Sequence, residues 1–159
     1  MHGGWPKIFT ESRLSFTQKR LCCARQDSQL DFGAREITEQ GLRNDVNVGI
    51  QYISSWLRGN GAAAIHHLME DAATAEIARS QVWQWVRHGA ELDDGQCVTA
   101  ELVRRIEDEE LDAIRAEVGD EFFYSQGRPQ ESRELFEEVA LSERYADFLT
   151  LRAYERLED

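Results

Sequence analysis

The chain has 159 residues, of which 42% are hydrophobic and 30% are charged. This length and composition are typical of one globular domain that buries its own core without metals or disulfides, and they argue against two domains. Lys and Arg number 18 against 30 Asp and Glu, and the formal net charge of −12 repels nucleic-acid phosphates and anionic membranes, so we expect neither as a partner.

The chain contains no apolar stretch near the roughly 20 residues that a membrane-spanning helix needs. No apolar segment follows Lys7, as a secretory signal requires, and we therefore expect a cytoplasmic protein. Residues 1–35 carry no sustained apolar period and predict a weakly ordered lead-in.

A first helix is predicted from Thr38, a favourable N-cap residue, to Gly59, a favourable residue for ending a helix. Apolar residues within it recur at spacings of three and four: Leu42, Val46, Ile50, Ile53 and Leu57. A second apolar row, Val48, Tyr52 and Trp56, indicates that more than one side is buried. We expect this helix to lie centrally.

The next segment, residues 62–69, is a short apolar stretch that the pattern leaves open as helical or extended. A second helix is predicted from Ala72 to His88, with Gly89 ending it. Its first half is rich in small residues that let a neighbouring element approach, so we expect its N-terminus to be pressed against another surface.

Thr99 is a favourable N-cap for a third helix that runs to Gly119, and Pro129 fits the first turn of a fourth. The tail from Glu143 adds further apolar residues: Tyr145, Phe148, Leu149, Leu151, Tyr154 and Leu157. Because no alternating strand pattern of useful length occurs, we predict an all-α fold, a bundle of about five helices.

Two consecutive acids, Glu70 and Asp71, open the second helix. The partial positive charge of a helix N-terminus favours a carboxylate there, so the pattern alone favours an N-cap role for Asp71 over a catalytic one.

Two histidine–acid pairs offer an alternative chemistry. His66 with Glu70, and His67 with Asp71, would share a face if the segment were helical, as the ligands of a metal hydrolase could. No further ligand is identifiable, so we predict no metal site in this chain and expect partly exposed histidines.

Other conspicuous residues have ordinary interpretations. Trp56, Trp83 and Trp85 could stack on a nucleotide-like ligand, but aromatic residues at helical spacing more often belong to a core. The acidic run at residues 107–110 predicts a solvated helix face.

Taken together, several blocks of the sequence resemble the C-terminal part of malate synthase. The strongest is Met69-Glu70-Asp71 with the Ala-rich run that follows it. The remaining similar blocks lie in the same order along the chain, at residues 37–44, 48–52, 56–61, 81–85, 148–151 and 153–157. The resemblance covers residues 36–159, and nothing similar is found for residues 1–35.

This resemblance implies a function that the residue patterns do not. Malate synthases condense acetyl-CoA with glyoxylate and water to give malate and CoA in the glyoxylate cycle, on a TIM barrel whose active site a C-terminal helical domain closes. The resemblance implies that residues 36–159 are that domain and that Asp71 is the catalytic base. Desolvation on docking would make its carboxylate more basic. It also implies Mg²⁺ as a cofactor, with its ligands in a barrel that this chain does not contain.

Three hypotheses follow. In the first, the chain contributes Asp71 to an active site that a barrel completes, and is inactive alone. In the second, it is a non-catalytic acidic helical remnant or protein-interaction module, with an association-prone patch of small residues around Asp71, Ala72 and Ala75. The third is the metal hydrolase that uses His66, His67, Glu70 and Asp71.

Overall fold

The computed structural model describes residues 36–156, so the predicted lead-in at 1–35 and Leu157 lie outside the described residues. The described part folds into helices and one two-stranded hairpin, which confirms the all-α class. In chain order the elements are α1 (Glu39–Leu57), β1 (Ala63–Ile65), β2 (Leu68–Glu70), α2 (Ala72–His88), α3 (Ala100–Val118), α4 (Asp120–Ser125), α5 (Pro129–Ala140) and α6 (Leu149–Glu155).

Side-chain caps fix where the three long helices begin. Thr38 Oγ1 accepts a hydrogen bond from Gly41 N at 3.0 Å, and Thr99 Oγ1 accepts one from Leu102 N at 3.2 Å. Asp71 caps α2 in the same way. Because each cap satisfies a backbone N–H that has no partner inside the helix, the predicted starts are confirmed.

Helix α1 lies at the centre of the fold, as predicted, and packs against α2, α3 and α5. Its side chains at Leu42, Val46 and Ile53 are fully buried. The ring of Phe136 on α5 lies directly over Gly49, at a distance that leaves no room for a β-carbon. The core therefore depends on a glycine where α1 and α5 cross.

The structure resolves one segment that the sequence left open and adds one element that it did not predict. Residues 62–69, left open as helical or extended, are mostly extended: strands β1 and β2 form an antiparallel hairpin that pairs Ala63 with Glu70 and Ile65 with Leu68. The six-residue helix α4 was not predicted, because an element this short carries too few residues to show a period. It raises the helix count within residues 36–156 from about five to six.

The acidic run on α3 is not a wholly solvated face, which corrects the prediction for residues 107–110. Glu107 is fully buried between α3 and α5, and neither of its carboxylate oxygens accepts a hydrogen bond within the described residues. Arg133 Nε lies 3.4 Å from Glu107 Oε2. Burial, followed by the negative charge of Glu137, raises the pKa of Glu107 to about 8.

A buried arginine of α2 forms hydrogen bonds to the segment before α6. Arg79 is fully buried, donates to the carbonyl oxygens of Ala146 and Asp147 at 2.8 and 3.3 Å, and pairs with Glu76. Glu76 Oε1 in turn accepts a hydrogen bond from Leu149 N at 2.6 Å. This network holds the C-terminal segment along the helix that Asp71 opens.

Within the part of the chain that the structure describes, no helix combines the length and the apolar character needed to cross a membrane.

Candidate active site

The hairpin β1–β2 carries the chain from the end of α1 to Asp71. Two backbone carbonyls that precede β1 are held by α1: Tyr52 Oη donates to Gly61 O at 3.1 Å, and Ser55 Oγ donates to Ala62 O at 3.5 Å. At the tip, His66 and His67 both adopt positive φ angles, 49° and 65°. These contacts fix the path of the strand that ends next to Asp71.

Asp71 opens α2 in an extended conformation, with φ −111° and ψ −177°. Its Oδ1 accepts a hydrogen bond from Thr74 N at 3.1 Å and lies 3.5 Å from the hydroxyl of Thr74. Both described contacts use Oδ1, and the residue is exposed. The carboxylate is therefore held by one oxygen and presented to the outside of the bundle by the other.

Three large apolar side chains on the strand before Asp71 and the helix after it are exposed. Leu68 and Met69 of β2 are 62% and 72% exposed, and Ile77 of α2 is 61% exposed. Ala75, which was expected to contribute to an exposed small-residue patch, is fully buried because it faces the core side of α2. The exposed surface beside Asp71 is thus formed by larger side chains than the sequence indicated.

A cleft of about 210 Å³ lies between α1, the hairpin and α2, and its lining includes Asp45, His66, Thr74 and Glu70, the residue before Asp71. Burial raises the pKa of Asp45 to about 7, so this carboxyl is partly protonated near neutral pH. Asp45 was not singled out from the sequence, since its burial results from the hairpin folding over α1.

The two histidines do not share a helical face with the acids, because the segment is a hairpin and not a helix. His66 lies in the turn, and its Nε2 is 3.1 Å from Asn47 Oδ1, whereas Glu70 pairs with Ala63 at the other end of the strands. Among residues 36–156 there is no group of three or more His, Cys, Asp or Glu side chains that could hold a metal ion. The helical geometry on which the metal hydrolase hypothesis depended is therefore wrong.

The tryptophans have separate structural contacts. Trp56 packs edge-on against Tyr154 with ring centroids 4.8 Å apart, and Trp83 packs against Tyr145 at 5.1 Å. Trp85 packs against the core. These contacts favour the structural interpretation of the three side chains.

Tyr52 lies beneath the site and was recognised from the sequence only as a buried aromatic residue. Its side chain is 1% exposed, and burial together with the negative charges of Asp71 and Glu76 raises its pKa. Helical periodicity places Tyr52 on a buried face, but only the folded hairpin places it near Asp71.

Comparison with known proteins identifies the family. The family model described as malate synthase, C-terminal, matches residues 36–157. The malate synthase of Streptomyces clavuligerus is 59% identical over 120 residues, which are 76% of this chain and 22% of that protein.

Similar relatives occur in distant organisms. Malate synthase A of Escherichia coli (strain K12) is 46% identical over 122 residues, 77% of this chain and 23% of that protein. The glyoxysomal malate synthase of Zea mays is 48% identical over 125 residues, 77% of this chain and 22% of that protein. The chain spans about a fifth of the length of these relatives. It belongs, by its sequence from residue 36 to residue 157, to the malate synthase C-terminal domain family.

Proposed function

We propose that this chain supplies the catalytic base of a malate synthase, and that Asp71 is that base. The observation that carries the proposal is the exposed carboxylate of Asp71 at the start of α2, whose hydrogen bonds within residues 36–156 all use Oδ1. A base on such an element is oriented by the fold while remaining accessible to a substrate outside the bundle.

In the proposed reaction, Asp71 takes a proton from the acetyl methyl group of acetyl-CoA, and the electron pair of the broken C–H bond is delocalised into the thioester as an enolate. The enolate carbon forms a bond to the aldehyde carbon of glyoxylate while the C=O π electrons move onto the aldehyde oxygen, and the resulting alkoxide takes up a proton to give malyl-CoA. Water then hydrolyses the malyl-CoA thioester, which releases malate and CoA. The exposed apolar residues Leu68, Met69 and Ile77 support docking on a barrel, because covering them would exclude water from the carboxylate.

The described residues do not fit a Mg²⁺ site, since no suitable group of ligands occurs among them. We propose that the Mg²⁺ ligands of the complete enzyme lie in the barrel. An enolate and an alkoxide require electrostatic stabilisation, so we expect the chain to be inactive alone.

The test is reconstitution. The chain is mixed with a polypeptide that contains the barrel of a relative, and CoA release is followed with acetyl-CoA and glyoxylate present. We expect activity only in the mixture, reduced at least a thousandfold by Asp71→Asn and unchanged by Asp112→Asn, an exposed aspartate on α3. A mixture that stays inactive although the two polypeptides bind each other would remove the catalytic assignment.

A second candidate function is a non-catalytic protein-interaction module. The exposed Leu68, Met69 and Ile77 favour it, because such a patch stabilises an interface whether or not chemistry follows. It predicts tight binding to a barrel whose activity does not depend on Asp71.

We also propose a cytoplasmic location. Several plant and yeast relatives are named glyoxysomal, so cell fractionation with an antibody against the chain is the appropriate test. Recovery in a membrane-bound compartment would contradict it.

A further inference from the structure

A cavity of about 220 Å³ lies among α1, α3, α4, the start of α5 and Ala64 of the hairpin, and Asp71 is not one of the residues that line it. Three of its apolar lining residues, Ile50, Ile114 and Phe123, are buried. Val118 and Phe122 stand at the mouth, at 38% and 37% exposure. Successive helical residues turn by about 100°, so Ser54, which lines this cavity, faces away from Tyr52 beneath the catalytic site.

Among the residues that the structure describes, Arg58 is the only charged one that lines this cavity. It donates through Nη1 to Ser54 Oγ at 3.0 Å, and its guanidinium carbon lies 5.3 Å from the centre of the Phe122 ring. Among the described residues no carboxylate pairs with it. Arg58 is itself an exposed residue, and the partial burial of its guanidinium lowers its pKa, so a solvated cation without an acidic partner among the described residues lies at the edge of the cavity.

This arrangement is unusual within the molecule. The partly buried Arg43, Arg128 and Arg133 are each bonded to glutamates, as expected in a chain with a net charge of −12. Arg87 and Arg144 also lack a carboxylate partner within residues 36–156, but neither lines this cavity. Only Arg58 therefore combines an apolar cavity with a positive charge that no acid neutralises.

The other polar side chains in the lining each make a hydrogen bond. Gln51 Nε2 donates to Asn47 Oδ1 at 2.7 Å, Ser54 Oγ donates to Gly127 O at 2.7 Å, and Ser132 Oγ donates to Arg128 O at 2.8 Å. A ligand would therefore meet mostly apolar side chains, the amide of Gln51 and one cation. Since an apolar cavity of about 150 Å³ accommodates benzene, this one is large enough for a body of roughly six carbons.

We propose that this cavity binds a small apolar carboxylate, whose hydrocarbon body lies against Ile50, Ile114 and Phe123 and whose carboxylate pairs with Arg58. The site is separate from Asp71, and it does not depend on the function proposed above.

The test uses hexanoate as the probe and hexanamide as its neutral counterpart, titrated into the ¹⁵N-labelled full chain and followed by NMR. We expect hexanoate to shift the amides of Ile50, Ile114 and Phe123 with a Kd of about 1 mM, and hexanamide to bind at least tenfold more weakly. Arg58→Gln should weaken hexanoate binding at least tenfold, while Arg87→Gln, which removes an exposed arginine far from the cavity, should leave it unchanged.

Val118→Trp provides a steric test, because this exposed residue can be enlarged at the mouth without disturbing the core. We expect it to reduce hexanoate binding while Arg58 stays in place. The proposal is overturned if hexanoate shifts none of the cavity amides up to 20-fold above the expected Kd, or if Arg58→Gln and wild type bind it equally. If hexanamide and hexanoate bound equally well, the cavity would not recognise a carboxylate, and the proposal would be overturned.

Discussion

The carboxylate of Asp71 carries a structural role that is separable from the proposed chemical one. Oδ1 caps α2 through Thr74 N, and a neutral amide oxygen can do the same. Proton abstraction requires a base, which an amide is not. Stability and activity should therefore respond differently to substitutions at this residue.

We predict that Asp71→Asn changes the free energy of unfolding by less than about 0.5 kcal/mol, whereas Asp71→Ala lowers it by about 1 kcal/mol. Urea denaturation followed by circular dichroism measures both. Thr99→Ala is the matched control, because it removes the same kind of cap from α3 and should cost about 1 kcal/mol without affecting reconstituted activity. A loss of stability for Asp71→Asn as large as that for Asp71→Ala would show that the loss of activity cannot be assigned to chemistry.

Glu107 is a fully buried carboxyl group, and burial makes its charged form unfavourable. Its pKa of about 8 in the folded chain lies far above the ordinary value of 4.5. A carboxyl that binds its proton more tightly when folded contributes stability that is present at low pH and is lost as the pH rises from about 4.5 to about 8.

We predict that raising the pH from 6 to 8 lowers the free energy of unfolding of the wild type by about 1 to 2 kcal/mol more than that of Glu107→Gln. Asp45, whose pKa is also raised, titrates in both proteins and cancels in the comparison. Glu109→Gln, a substitution at an exposed position on the same helix, should retain the wild-type pH dependence. Identical pH profiles for wild type and Glu107→Gln would contradict the assignment.

At the scale of elements, the crossing of α1 and α5 depends on Gly49. A β-carbon at this position would lie 2.4 Å from Phe136 Cε2, inside the contact distance of any two carbons. Glycine is normally unfavourable in the middle of a helix by roughly 1 kcal/mol relative to alanine. Gly49 therefore lowers the intrinsic helix propensity of α1 but allows the ring of Phe136 on α5 to pack closely against it.

We predict that Gly49→Ala lowers the free energy of unfolding by about 1 to 3 kcal/mol, opposite in sign to the propensity effect. Gly61→Ala is the control, since no atom lies within 4 Å of its β-carbon position, and it should be nearly neutral. Combining Gly49→Ala with Phe136→Leu should be less destabilising than the sum of the two changes. Simple additivity in chemical denaturation would argue against the steric cause.

At the scale of the whole molecule, the strand before Asp71 and the helix after it expose large apolar side chains. Leu68 and Met69 of β2 are 62% and 72% exposed, and Ile77 of α2 is 61% exposed. Such a surface is stabilised when another surface covers it.

We predict that the double variant Met69→Lys, Ile77→Glu weakens binding to a barrel-containing polypeptide at least tenfold, measured by calorimetry, and leaves the thermal unfolding midpoint within a few degrees of the wild type. Tyr124→Glu, at a residue of α4 that is 65% exposed, is the matched control and should bind normally. Unchanged binding by the double variant would show that docking uses another face.

The long helices could be predicted from the amino-acid sequence, because their limits depend on local chemistry. Thr38, Asp71 and Thr99 each cap through their own side chain, and Gly89 ends α2 with a positive φ of 60° that suits glycine. The resemblance around Met69-Glu70-Asp71 likewise identified the family, because it depends on residue identity alone.

The contacts between side chains on different elements could not be predicted from the sequence, because they depend on the tertiary fold. The burial of Glu107 depends on α5 packing over α3, and the neighbourhood of Asp71 depends on a hairpin whose strands have three residues each. Neither arrangement leaves a period in the sequence, because the energy that fixes it comes from contacts between residues far apart in the chain. The solvent exposure of Asp71 also depends on the tertiary fold. Its N-cap hydrogen bond is local in sequence, but whether another element covers its carboxylate is not.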